Sequence, residues 1–218
     1  MSQIQDEIKR ITASLPCGVR LVAVSKYHPE SHIEEAYAAG QRVFGESHVQ
    51  ELRRKYDNLP KDIEWHFIGH LQTNKVKYII EDMDLIHSVD SIKLATEIDR
   101  HAARVNKVQD ILIEVNVGGE ASKSGIAPEQ LEELLHEAGQ LSHVHVRGLM
   151  TIPPVEGDEK FLYKMQQLYL DISSKKMDNI DMEILSMGMS GDFAAAIRYG
   201  STLVRIGTAL FGARNYQK

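Results

Sequence analysis

Val19-Arg20-Leu21-Val22-Ala23-Val24-Ser25-Lys26-Tyr27-His28-Pro29 sets the reading of this chain. A mostly apolar run stops at a lysine, and three positions later comes a proline of the kind a first helical turn tolerates. That is a strand passing into a helix, and the alternation recurs to the C-terminal end. Strands are expected at 19–25, 42–44, 64–68, 85–88, 111–116, 144–150, 182–186 and 202–206. Helical segments are expected at 29–39, 47–58, 91–105, 128–139 and 158–176. Ahead of them, Ile4, Ile8, Ile11 and Leu15 form a stripe at helical spacing. Eight βα repeats with right-handed crossovers close most economically into an α/β fold, a single (β/α)8 TIM barrel over residues 1–218 with an extra N-terminal helix. That helix is expected to cap the barrel or cover its seam. A doubly wound open sheet is the runner-up, and periodicity does not separate the two.

Size and composition narrow the classes. The 218 residues suffice for one such barrel, and the formal charge of −6 with no basic stripe argues against nucleic acid. Lys75-Val76-Lys77 and Lys175-Lys176 read as solvated helix faces. The single cysteine, Cys17, forms no internal disulfide and reads as a small, partly buried residue in a reducing compartment. No signal peptide or membrane span is expected, so the chain reads as cytoplasmic. The histidines show no HExxH pattern and no Cys/His ladder, so no metal is expected.

The chemistry gathers at the strand ends, where barrel active sites form. Lys26 follows the first strand, and Ser88, Asn116, Met150 and Ser186 end later ones. Arg205 lies inside the end of the eighth. A lysine becomes a Schiff-base nucleophile when burial or a neighbouring cation lowers its proton affinity; the plainer reading is a solvated lysine at a loop start. Barrels commonly bind phosphate at the loops after strands seven and eight. Here those loops are Ser186-Met187-Gly188-Met189-Ser190-Gly191-Asp192 and Arg205-Ile206-Gly207-Thr208. Their glycines admit backbone N–H groups close to an anion, and Ser186, Ser190 and Thr208 add hydroxyls. Ordinary tight turns would use the same residues. A reactive amine beside an anion cradle suits an aldehyde that carries a phosphate, which is the chemistry of pyridoxal 5′-phosphate (PLP). Gly118–Gly125 is glycine-rich but lacks the order of a P-loop. No paired carboxylates can be picked out.

On these residues, together with Phe44-Gly45-Glu46, Trp65-His66-Phe67-Ile68-Gly69-His70-Leu71-Gln72-Thr73-Asn74-Lys75, His87-Ser88-Val89-Asp90 and Gly148-Leu149-Met150-Thr151-Ile152, the chain resembles the YggS/PROSC family of PLP homeostasis proteins, related to the N-terminal barrel of alanine racemase. The resemblance implies that Lys26 carries PLP as a Schiff base, that Ser186, Gly207 and Thr208 hold the phosphate, and that Arg205 faces the pyridine nitrogen. Met187 and Ser190 belong to the same loop. Ser47 stands where the family usually has an asparagine, and Lys123 matches a loop lysine that would receive cofactor during transfer.

Three functions compete. A PLP carrier would buffer the cofactor or deliver it to apo PLP-dependent enzymes without robust catalysis, as a single barrel and, by expectation, a monomer. A PLP-dependent amino-acid racemase of low activity would need a second base, which racemases take from a further domain not expected here. A phosphate-binding barrel without cofactor would use Lys26 as a phosphate contact. The carrier is the expected function.

Overall fold

In the computed structural model, which describes residues 2–120, 123–154 and 159–213, the chain opens on a reciprocal cap. The Gln5 amide donates to the Ser2 hydroxyl at 3.3 Å, and the Ser2 amide donates to the Gln5 side chain at 3.1 Å. Helix α1 (Gln3–Ser14) then buries Ile4, Ile8 and Ile11, the stripe its spacing predicts. Cys17, in the turn that follows, is exposed rather than partly buried.

Eight strands follow: β1 (Arg20–Val24), β2 (Val43–Glu46), β3 (Glu64–Phe67), β4 (Leu85–Val89), β5 (Gln109–Glu114), β6 (Val144–Met150), β7 (Ile180–Ser186) and β8 (Leu203–Ile206). All pair in parallel with their sequence neighbours, and β8 returns to β1 with Leu21 opposite Val204 and Ala23 opposite Ile206. The closed ring excludes the open sheet: this is a (β/α)8 barrel. Its helices are α2 (Glu30–Ala38), α3 (Val49–Asn58), α4 (Ile92–Arg104), α5 (Leu131–Ala138), α6 (Lys160–Ser173), α7 (Phe193–Arg198) and α8 (Thr208–Phe211). Between β3 and β4 the connection is a 3-10 helix, Thr73–Tyr78. The expected start of the sixth helix at residue 158 lies outside the described residues. β5 ends two residues before Asn116, whose side chain instead donates to the Glu120 carbonyl at 2.9 Å and braces the next loop.

Helix α8 is one turn long and cannot cover the seam where β8 meets β1. Helix α1 packs against both α2 and α8 and does so instead.

Alternation along the strands sorts their side chains into two cores. Leu21 and Ala23 point out into the layer shared with the helices, as do Ile111 and Ile113, while Val22 and Leu112 point into the lumen. There Val22, Val43 and Leu203 form one apolar group and Leu85, Leu112 and Met150 another, with Ile184 touching both. At Gly148 the β6–β7 register shifts, φ is +149°, and an added Cβ would lie 1.8 Å from the Ile184 carbonyl oxygen. Only glycine lets these two strands meet there.

Candidate functional site

Lys26 is held by what flanks it. The Ser25 hydroxyl donates to Glu46 Oε1 at 2.7 Å, and the Ser25 carbonyl accepts from Lys55 Nζ at 2.8 Å. Tyr27 sits at φ +66°, a left-handed conformation unusual for a bulky residue, and its amide donates to Glu51 at 2.7 Å. Lys55 binds both of these carboxylates, each at 2.7 Å, and is itself fully buried. One cation from α3 therefore fixes the backbone on either side of Lys26. Burial pushes the Glu46 carboxyl above its ordinary range, and Lys55 opposes that shift. Lys26 Nζ donates to Ser47 Oγ at 3.2 Å. Ser47 in turn is pressed by Gly69, where an added Cβ would lie 2.3 Å from the Ser47 carbonyl oxygen.

At the C-terminal ends of the strands a cleft opens in two lobes, with Lys26, Ile68 and Ile152 lining both. The inner lobe, about 220 Å³, is walled by Met189, Ser190, Gly191, Arg205, Gly207 and Thr208. The backbone N–H groups of Ser190, Gly191, Gly207 and Thr208 donate to no other described residue. An added Cβ at Gly191 would meet open space, whereas at Gly207 it would meet the β1 backbone at 3.2 Å. The outer lobe, about 440 Å³, is lined by Tyr27, Ser47, His48, His70, Glu114 and Lys123 among others. Lys123 Nζ pairs with Glu120 at 2.6 Å and donates to the Pro153 carbonyl at 3.1 Å.

Five of the seven residues picked from sequence thus share one lobe: Lys26, Ser190, Arg205, Gly207 and Thr208. The other two do not line it. The Ser186 side chain is fully buried beneath the cleft, where its hydroxyl accepts from Arg205 Nη1 at 2.5 Å and lies 3.1 Å from His87 Nδ1. Met187 is buried in the layer between strands and helices. The Ser190 hydroxyl accepts from the Ala209 amide at 3.2 Å and ties the two glycine-bearing loops together. Arg205 also donates to the Thr151 carbonyl at 2.9 Å. Burial pulls its guanidinium down to about 10, against the fields of Glu114 and Asp192, so it stays cationic at neutral pH.

Sequence reading missed Glu114, the last residue of β5. Its signal was present: with Ile111 and Ile113 facing out, Leu112 and Glu114 must face in. Glu114 is 5% exposed, and its carboxyl is raised to about 7, first by burial and then by the charge of Asp90, with Arg205 opposing. A carboxyl raised on folding contributes stability that is complete below its unfolded value near 4.5 and is lost as pH rises through 7. Across that window the ligand-free protein should lose roughly 3 kcal/mol relative to Glu114→Gln, read by urea unfolding at each pH. Parallel curves for the two proteins would refute the assignment.

Among the described residues no three His, Cys, Asp or Glu are grouped to hold a metal ion, and no helix is long and apolar enough to cross a membrane.

A family model described as alanine racemase, N-terminal domain, matches residues 1–215. A protein of Aquifex aeolicus named pyridoxal phosphate homeostasis protein is 46% identical over 221 residues, spanning 99% of this chain and 96% of its own. Among solved structures, PipY of Synechococcus elongatus with PLP bound superposes with a TM-score of 0.87 at 37% identity, over 96% of this chain and all of that one. Without PLP the same protein gives a TM-score of 0.90 at 38% identity, with the same coverage. This chain belongs to the alanine racemase N-terminal domain family.

Proposed function

We propose that this protein binds pyridoxal 5′-phosphate in the two-lobed cleft, holds it as a Schiff base on Lys26, and acts in PLP homeostasis by buffering or delivery rather than by turnover. One observation carries the reading: Lys26 lines both an inner lobe, with four backbone N–H groups that donate to no other described residue, and a larger outer lobe. The residues fit the group. Ser190, Gly191, Gly207 and Thr208 would take the phosphate as backbone donors. Bound there, the cofactor supplies an electrophilic aldehyde and an electron-withdrawing ring.

The chain's own residues do the rest. Lys55, Glu46 and Glu51 keep the Lys26 backbone in place, and Ser47 orients its amine. Arg205, kept cationic against the ring nitrogen, disfavours protonation there and so weakens the electron sink, which suits storage better than catalysis. The names of the relatives and the PLP held by PipY support this reading. Lys123, across the outer lobe, would receive cofactor on its way to apo PLP-dependent enzymes. Residues 1–218 would act as one cytoplasmic barrel and as a monomer.

The deciding experiment is the visible absorption spectrum of the purified protein with PLP, followed by borohydride reduction and peptide mapping. A band and a reduced adduct on Lys26 are expected. No band and no adduct would return the cleft to a plain phosphate site.

A second reading, a PLP-dependent amino-acid racemase of low activity, is favoured by Glu114. In an eight-stranded ring β5 lies opposite β1, so Glu114 and Lys26 offer two titratable groups from opposite sides of the mouth. Lys26-dependent exchange of the alanine α-hydrogen with solvent deuterium, together with change of configuration at useful turnover, would establish it.

A further inference from the structure

Beneath the cleft a line of polar side chains runs down the lumen to the opposite rim. Arg205 Nη1 donates to Ser186 Oγ at 2.5 Å. Ser186 Oγ lies 3.1 Å from His87 Nδ1, and His87 Nε2 lies 3.0 Å from His66 Nδ1. His66 Nε2 lies 3.2 Å from Glu64 Oε1, and Glu64 Oε2 accepts from Arg20 at 2.5 Å. Arg205, Ser186, His87 and His66 are each at most 4% exposed, whereas the Glu64 and Arg20 side chains reach solvent at 34% and 50%.

The chemistry of the donors gives this line one direction. A guanidinium only donates, so Ser186 accepts from Arg205 and its single proton goes to His87 Nδ1. His87 must then carry its proton on Nε2 and pass it to His66 Nδ1. His66 carries its own on Nε2, toward Glu64, which accepts from both sides. Titration agrees with the pattern. Burial, with His66 and Arg205, drives His87 well below the usual imidazole range, so it is neutral, and the hydrogen bond from His66 helps hold Glu64 down to about 2, so it is ionised.

Arg205 needs such support. Its guanidinium is buried, and among the described residues its hydrogen-bond partners are a hydroxyl and a carbonyl, neither of them charged. A buried cation without compensation is costly. The charged and titratable groups that face it are His87 within the line and Glu114 and Asp192 at a distance.

We propose that His66 and His87 are positioning residues for the cofactor site: they extend the negative charge of Glu64, by a one-way series of hydrogen bonds, through Ser186 to Arg205, and so fix both the place and the effective charge of the guanidinium under the ring. This rests on the PLP reading of the cleft. Neutralising Glu64, on the far rim and remote from the cleft, would remove the negative charge at the end of the series and leave Arg205 more strongly positive. A protonated Schiff base above it would then be disfavoured.

The test uses PLP-loaded protein and reads the pH midpoint of the visible Schiff-base band. In Glu64→Gln the midpoint should fall by about 0.5 unit, roughly threefold in proton affinity, and Glu64→Asp, which keeps the charge, should restore it. Asp62→Asn, which removes an exposed carboxylate two residues away, should leave it unchanged. An unshifted midpoint in Glu64→Gln, or an equal shift in Asp62→Asn, would overturn the relay while leaving PLP binding intact. A wild type that shows no band at all would instead sink the PLP reading.

Discussion

Lys26→Ala is expected to abolish the visible band and the borohydride adduct while leaving the barrel folded. In the proposed binding mode only the amine makes the covalent link, and the Lys26 side chain is not part of the packed core. Stability should change by less than about 1 kcal/mol, as for other substitutions outside the core. The cradle of Ser190, Gly191, Gly207 and Thr208 is untouched, so PLP should still bind through its phosphate, at least about 100-fold more weakly, a loss of about 2.7 kcal/mol. Equilibrium dialysis with PLP and with inorganic phosphate separates the two contributions. A band that survives in Lys26→Ala would move the covalent site to another lysine, with Lys123 in the same cleft the first to examine.

Lys55→Ala should be the most damaging change to the fold among those considered. Lys55 and Glu46 are both fully buried and 2.7 Å apart. Removing the cation leaves a buried carboxylate without its partner, a change that costs about 3–5 kcal/mol in comparable pairs. Glu46 would take up a proton instead, so the variant should be weakest at high pH, where the folded state must either hold the charge or pay for protonation. The same substitution releases the Ser25 carbonyl and the Glu51 carboxylate that grips the Tyr27 amide. PLP retention should therefore fall along with stability. Joint replacement, Lys55→Met with Glu46→Gln, removes the unpaired charge and should recover part of the stability but not the retention, since the clamp on Lys26 is still gone. Urea unfolding and PLP release rates measure the two losses, and full recovery of both would show that the clamp plays no part in holding the cofactor.

Much of this was legible in the chain. Short apolar runs alternating with segments of helical length marked eight strands, and all eight are present, because run length and spacing are local properties of the chain. Lys26 was legible for the same reason: a lysine directly after an apolar strand has to emerge at that strand's C-terminal end. Glycines near the ends of β7 and β8 marked loops that an anion can approach. Strand limits were less certain, as at β5, since a short strand ends where its neighbour stops pairing.

What the sequence determined by itself, then, is the order of elements and the end of the barrel at which the candidate site was to be sought, and the cleft opens there. Only the tertiary structure decided which side chains meet. Val22 faces inward by alternation, but the pairing of β1 with β8 is what closes the ring. Ser186 looks like a phosphate donor in a serine- and glycine-rich loop, yet closure places its hydroxyl 3.1 Å from His87, 99 residues earlier in the chain. Nothing in the sequence singled out Lys55, which α3 buries against Glu46. The physical reason is common to all of these: local periodicity fixes a direction for each side chain, while its partner across the lumen is fixed by register and by the desolvation that makes an unpaired polar group costly there.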